Sequence, residues 1–206
     1  MSENNIEATV IKIGLLGDGK VGKSAICNIF LGLEFNIDTM TTIGSEKFEK
    51  KINLKNGKEI RLILWDTAGQ ERFRSAALRT IKFVQGIVLV FDVSDKKSFE
   101  NINMWLEEIN DNFENPCLVL FGNKIDKPKE EWEITPEEIK EFAKQKKMAF
   151  FETSAKENIG LDKGLTHIAN EAYEKLVLKG KVDPKNNEKK IDIGKGNAIG
   201  RRKCCK

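Results

Sequence analysis

The stretch GDGKVGKS, residues 17–24, stands directly behind the apolar run TVIKIGLL and packs three glycines and two lysines into eight positions. Such a segment is a poor strand and a poor helix, because glycine gives up more backbone freedom on ordering than any other residue. A bound polyphosphate removes the objection. Read as GxxxxGKS between a strand and a helix running from Ser24 to about Gly32, it is a phosphate loop. Its backbone N–H groups point inward around a β-phosphate, the Lys23 ammonium bridges β- and γ-oxygens, and the Ser24 hydroxyl ligates Mg²⁺. Gly17, Gly19, Lys20, Val21, Gly22, Lys23, Ser24 and Ala25 are the candidate phosphate-binding residues. The pattern by itself competes with a plain glycine-rich turn and does not distinguish ATP from GTP.

At 206 residues, 40% hydrophobic and 33% charged, the chain suits one well-cored domain. It has no run of about 18 apolar residues, and MSENNIEAT lacks the apolar segment of a signal peptide. The expectation is an intracellular chain that spans no membrane. Ser2 stands where N-myristoylation would need glycine. The net charge of +3 divides into +6 from Lys181 onward and −3 before it. A mildly acidic body with a basic tail points away from nucleic acid as the main partner. Cys27 and Cys117 lie in apolar surroundings and read as small buried hydrophobes. Cys204 and Cys205 are adjacent near the end of the chain, which suits neither a structural zinc site nor a disulfide framework.

Short apolar runs, TVIKIGLL, IRLILWD, GIVLVFDV, PCLVLFG and MAFFETS, alternate with helical patterns, which predicts a parallel sheet covered on both faces. KFEKKINL and KEIRLILWD flank Asn56-Gly57, a hairpin dipeptide, so one antiparallel edge strand is expected. The fold class is α/β, a three-layer P-loop NTPase with a mostly parallel six-stranded sheet and helices on both faces. Thr135-Pro136-Glu137-Glu138 reads as a helix start with a capping box. Leu161, Leu165, Ile168, Ala172 and Leu176 mark the buried stripe of a last helix. Residues 1–180 are read as the folded domain and 181–206 as a flexible basic tail without periodicity.

The base is read elsewhere. In FGNKID, Asn123 and Lys124 precede Asp126, whose carboxylate can accept two hydrogen bonds from guanine's ring N–H and exocyclic amine; adenine has no such pair. Lys124 can lay its alkyl stem along the base. ETSAK brings Ser154, Ala155 and Lys156 to the end of the next strand, where the Ala155 N–H can donate to a keto oxygen. Both loops lie at carboxyl ends of strands, where open α/β sheets bind ligands. In WDTAGQE, Asp66 falls near the metal, Gly69 can offer its N–H to the γ-phosphate and Gln70 can orient water. The threonine of TTIG, Thr42, can close the metal shell.

GDGKVGKS, TTIG, WDTAGQERF, NKID and ETSAK, in this order and spacing over residues 8–178, resemble the Ras-like small GTPases, and the QERFRS continuation resembles the Rab group. The resemblance implies a GTP/GDP switch in vesicle and membrane trafficking, with Mg²⁺ as cofactor. It implies that Ser24 and Thr42 ligate Mg²⁺, that Asp66 holds it through water, that Gln70 positions the attacking water and that Phe35 stacks edge-on against guanine. The γ-phosphate would order residues 36–48 and 67–82, and hydrolysis would release them. An exchange factor, an activating protein, escort or dissociation-inhibitor proteins and effectors are the implied partners of a monomer. Paired terminal cysteines in this group carry geranylgeranyl chains, so Cys204 and Cys205 are the candidate lipid sites and the cytoplasmic face of endomembranes the expected location. Lys203 occupies the place where a CaaX signal needs its cysteine.

The chain departs from the Rab pattern after TTIG. Ser45-Glu46-Lys47-Phe48 sets its aromatic one place late, a tyrosine pair is missing near Thr80-Ile81, and Thr39 stands where relatives place an aromatic lid. Lys20 is read as solvated rather than as a phosphate contact, and His167 as structural. Trp65 is open between core packing and effector contact. No arginine finger is evident, since Arg72 and Arg74 follow Gln70. Three alternatives remain: a GTP-binding interaction module that scarcely hydrolyses, a Ras- or Rho-type signalling GTPase, and a nucleotide kinase, which would not explain Asp126 or Ala155.

Overall fold

The structure, a computed structural model, describes residues 9–36, 42, 44–69 and 74–182. Six strands, β1 (Val10–Leu16), β2 (Ser45–Asn53), β3 (Glu59–Thr67), β4 (Gly86–Asp92), β5 (Cys117–Asn123) and β6 (Ala149–Glu152), form one sheet in the order β2-β3-β1-β4-β5-β6. Every pairing is parallel except β2 with β3, so the predicted single antiparallel edge is present. All seven residues of central β4, GIVLVFD, are buried, as expected of a strand with a layer on each face.

The helices divide between the faces. One apolar cluster joins α1 (Lys23–Leu31) and α6 (Leu161–Leu178) to Ile13, Leu15, Leu64, Val90 and Phe121. The other joins α2 (Arg74–Thr80), α3 (Lys96–Glu100), α4 (Ile102–Asn112) and α5 (Pro136–Gln145) to Leu16, Leu89, Phe91 and Leu120. Alternate residues of one strand serve opposite clusters, Leu15 and Leu16 for instance, because successive side chains leave opposite faces. The α6 stripe is buried as its spacing predicts: Leu161, Leu165, Ile168, Ala172 and Leu176 are all at or below 9% exposure. Cys27 is buried; Cys117 is only partly so, packing on the first cluster from the strand's start. Burial raises both thiols above their ordinary range.

The hairpin turns at Asn56-Gly57 through a loop longer than two residues. Gly57 N–H donates to Leu54 O (2.9 Å), Leu54 N–H to Lys58 O (2.9 Å) and Lys58 N–H to Asn56 Oδ1 (3.0 Å). The Lys55 N–H then docks the tip on Asn170 Oδ1 of α6 (3.0 Å). The register explains the displaced aromatic: Phe48 pairs with Leu64 on the core side, which leaves Lys47 opposite Trp65 on the other face. A one-place shift in a strand exchanges its faces. Trp65 is half-buried and packs against the second cluster.

The start of α5 carries the predicted capping box. Glu138 N–H donates to Thr135 Oγ1 (3.2 Å), while Thr135 N–H and Oγ1 donate to Glu138 Oε2 (2.8 Å each). Those bonds hold the exposed Glu138 carboxyl below its ordinary 4.5, so their contribution is complete above that pH and is lost as pH falls below it. Thr135→Ala is expected to lower Tm by about 3 °C at pH 7. The difference should narrow as thermal unfolding is repeated at progressively lower pH below 4.5.

Candidate nucleotide-binding site

The parallel strands end on one edge of the sheet, and the loops leaving β1, β3, β4, β5 and β6 meet there. Residues 17–22 link β1 to α1, which starts at Gly22 in a left-handed conformation (φ 101°), with no side-chain cap and no acidic residue in its first turn. Uncapped N–H groups and the positive end of the helix together favour an anion. A Cβ on Gly22 would lie 2.4 Å from Asn123 Nδ2, so position 22 needs glycine for space as well as conformation. Val21 and Ala25 are buried, whereas Gly19 and Lys20 are exposed, Lys20 itself at φ 66°.

Lys23 is 5% exposed, and its ammonium donates to Gly17 O (2.8 Å) and Asp18 O (2.7 Å). Burial lowers its pKa from 10.5 to about 8, against the opposing pull of Asp66 and Asp18. An ammonium this short of solvation gains from a nearby polyanion. Gly69, just past β3, approaches the same group so closely that a Cβ on it would lie 2.3 Å from both Lys23 Nζ and Asp18 O.

Beside Lys23, Ser24 Oγ lies 2.6 Å and Thr42 Oγ1 3.0 Å from Asp66 Oδ2, and the two hydroxyl oxygens are 2.9 Å apart. Two hydroxyl protons must therefore serve three oxygen–oxygen contacts, while Asp66 Oδ1 is buried with no hydrogen-bond partner among the described residues. Burial raises the Asp66 carboxyl above its ordinary range, with the hydroxyls and Lys23 acting the other way. A compact, proton-deficient oxygen cluster suits a hard divalent cation such as Mg²⁺.

The base-reading candidates converge from β5 and β6. Asn123 is 1% exposed; its Nδ2 donates to Val21 O (2.8 Å), and its Oδ1 accepts from Ala155 N–H (3.2 Å) and Thr153 Oγ1 (3.3 Å). One amide thus ties the phosphate loop to both base loops. Ser154 Oγ donates to Asp126 Oδ1 (2.5 Å), Lys124 sits at φ 68° with its ammonium on Asp92, and Lys156 is exposed. Phe35 stands in the loop after α1 with 37% of its surface exposed. Gln70, Thr39, Cys204 and Cys205 lie outside the described residues. His167 of α6 packs on Phe151 of β6 (5.3 Å between rings), with its Nε2 3.4 Å from Glu171 Oε1.

A profile of the Ras family matches residues 12–174. The chain belongs to that family. It is 36% identical to Ras-related protein Rab-10 of Diplobatis ommata over 198 residues, 95% of this chain and 96% of the relative. It is 35% identical to Ras-related protein SEC4 of Saccharomyces cerevisiae, over 96% of this chain and 92% of the relative, and 35% identical to Ras-related protein YPTC6 of Chlamydomonas reinhardtii, over 90% and 85%. The protein is a Rab-like small GTPase of vesicle trafficking, an enzyme that hydrolyses GTP. The alternatives of an interaction module with little hydrolysis and of a Ras- or Rho-type signalling GTPase are not favoured. Ras-family GTPases use GTP, GDP and Mg²⁺ and act through regulators and effectors.

This Rab-like GTPase also fixes its phosphate loop through a residue that the motif leaves unspecified. The Asp18 carboxylate accepts from Asn101 Nδ2 (2.6 Å) and Trp105 Nε1 (2.9 Å), both at α4. A carboxylate inside an anion-binding loop was the one signal in the sequence; partners more than 80 positions away had none. Asn123→Ala removes the donor to Val21 O and the acceptor of Ala155 N–H together. It is expected to cost about 2 kcal/mol, read as a lower urea midpoint at unchanged slope, and to speed release of bound guanine nucleotide.

Proposed function

We propose that this chain's own residues divide the work of the GTPase as follows. Lys23 and the N–H groups of residues 17–25, with Gly69, hold the β- and γ-phosphates, and Ser24, Thr42 and Asp66 hold Mg²⁺. Asn123, Lys124, Asp126, Ser154, Ala155 and Lys156 select guanine, with Phe35 at its edge. The supporting observation is the double role of Asn123, which bonds Val21 in the phosphate loop and Ala155 in the base loop, so that both ends of one nucleotide are served by one rigid frame. When bound, Mg²⁺ supplies charge neutralisation at the phosphate oxygens. Lys23 brings a desolvated positive charge to the β–γ bridge, where negative charge develops, and Gln70 aligns the attacking water. The sequence offers no evident arginine finger, since Arg72 and Arg74 follow Gln70, so unassisted turnover of about 10⁻⁴ to 10⁻² per second, raised by an activating protein, is the scale to expect.

GTP should bind at least about 10⁴-fold more tightly than ATP, because Asp126 would otherwise face an unmade pair of hydrogen bonds. Asp126→Asn is expected to weaken GTP and improve xanthosine triphosphate, whose extra carbonyl can accept from the new amide. Gln70→Leu should keep GTP affinity and lose activator-stimulated phosphate release in single-turnover assays. Unchanged GTP affinity in the first variant removes Asp126 from the site; parent-rate hydrolysis in the second removes Gln70 from catalysis.

We propose further that residues 1–180 form the G domain and 181–206 a basic tail carrying geranylgeranyl groups on Cys204 and Cys205, which would place the monomer on the cytoplasmic face of endomembranes. Among the described residues no helix is long and apolar enough to cross a membrane. Two chains make a stable anchor where one holds only marginally, and the tail's lysines and arginines add attraction to an anionic leaflet. Intact mass of protein from its native cells should show two added isoprenoid chains, and Cys204→Ser/Cys205→Ser should leave the membrane fraction. Unmodified mass on membranes would defeat the anchor.

A further inference from the structure

The last residue of β4, Asp92, is 5% exposed and is the register partner of Asn123 on β5, so a buried carboxylate lies directly beside the base-reading loop. Its backbone is fixed by the Asp92 N–H donating to Ser98 Oγ of α3 (3.0 Å). Its carboxylate is fixed by Ser94, whose N–H (2.9 Å) and Oγ (2.7 Å) both donate to Oδ1. Oδ2 is left for Lys124 Nζ at 2.6 Å, with Lys127 Nζ 3.8 Å away and bonded in turn to Ser94 Oγ. A buried carboxylate is costly unless its partners are well placed, and here every strong partner is supplied.

What this network holds in place is a lysine in a left-handed turn whose side chain is 31% exposed at the rim of the pocket. A lysine head that wanders in solvent must be ordered when a base arrives; one already anchored presents its stem without that entropic cost. We infer that Asp92 is a positioning residue for guanine nucleotides: it pins the Lys124 ammonium so that the alkyl stem forms a preset wall against the face of the base, and thereby slows nucleotide release. The inference rests on the base-pocket reading above. It acts on the face of the base, whereas Asp126 acts on its edge.

The test is the dissociation rate of fluorescent GDP from the full chain in the parent, Asp92→Asn, Lys124→Met and the double variant, with urea midpoints measured alongside. Asp92→Asn should release GDP about ten-fold faster, the scale of one preset charge-assisted hydrogen bond. Because Asp92 acts through Lys124, the double variant should release no faster than Lys124→Met alone. The ratio of GDP to inosine diphosphate affinity should be unchanged in Asp92→Asn, since the exocyclic amine is read elsewhere. Parent-like release in Asp92→Asn overturns the inference, as do multiplying effects in the double variant, which would mark Asp92 as a support of the fold alone. Should Asp92→Asn not fold, Ser94→Ala, which removes the hydroxyl that aims Oδ1 and also receives Lys127 Nζ, takes its place. Release about three-fold faster that vanishes in the Lys124→Met background supports the inference, and parent-like or multiplying release overturns it. A parent chain that retains no guanine nucleotide overturns the pocket reading as well.

Discussion

Lys23 carries an ammonium that the fold has almost wholly removed from water, and its pKa near 8 records the cost. Two backbone carbonyls of its own loop compensate it in part. Asp66 and Asp18 pull against the desolvation, and the uncapped N–H groups at the head of α1 favour an anion beside the same charge. That single charge sets the demands on its neighbours. The loop turns two carbonyls inward, Gly69 leaves room beside Nζ, and Asp66 approaches with its Oδ1 buried and without a hydrogen-bond partner among the described residues. Each of these features would be a defect in a protein that bound nothing there.

The parallel sheet makes the convergence possible, because every strand but β2 ends on the same edge. Position is then refined by long-range side-chain bonds. Asn123 holds the phosphate loop from the base side, and Asp18 ties it to Asn101 and Trp105 of α4. Trp105 is itself part of the apolar cluster that contains Ala77, Leu78 and Ile81 around α2. The loop after β1 is thus braced against the helical layer that contains α2.

On β2 the chain departs from the Rab pattern. Its core-facing aromatic, Phe48, packs inward, while Lys47 stands opposite Trp65 and pairs with Glu49, which also receives Arg61 (2.9 and 2.7 Å). Those two cations hold the Glu49 carboxyl down to about 2. A row of alternating charge therefore borders Trp65 where the Rab pattern has an aromatic. Exposed ion pairs of this kind add little stability and instead set which surfaces are complementary.

Much of this protein was legible in the chain because the signals were local. The glycine pattern of the phosphate loop, the β-branched runs, Asn56-Gly57, the capping box at Thr135 and the stripe of α6 each depend on residues within a turn or two of one another. Gln70, Cys204 and Cys205 are known at that level only. Other features depended on the tertiary structure: that Lys47 rather than Phe48 faces Trp65, that Asp18 is held by α4, that Asp92 anchors Lys124, and that Asn123 bonds Val21 across 102 positions. None has a periodicity or a neighbour to announce it. Strand register and sheet order bring such pairs together, and both are decided by how the whole apolar core closes, a property that no segment of the sequence carries alone.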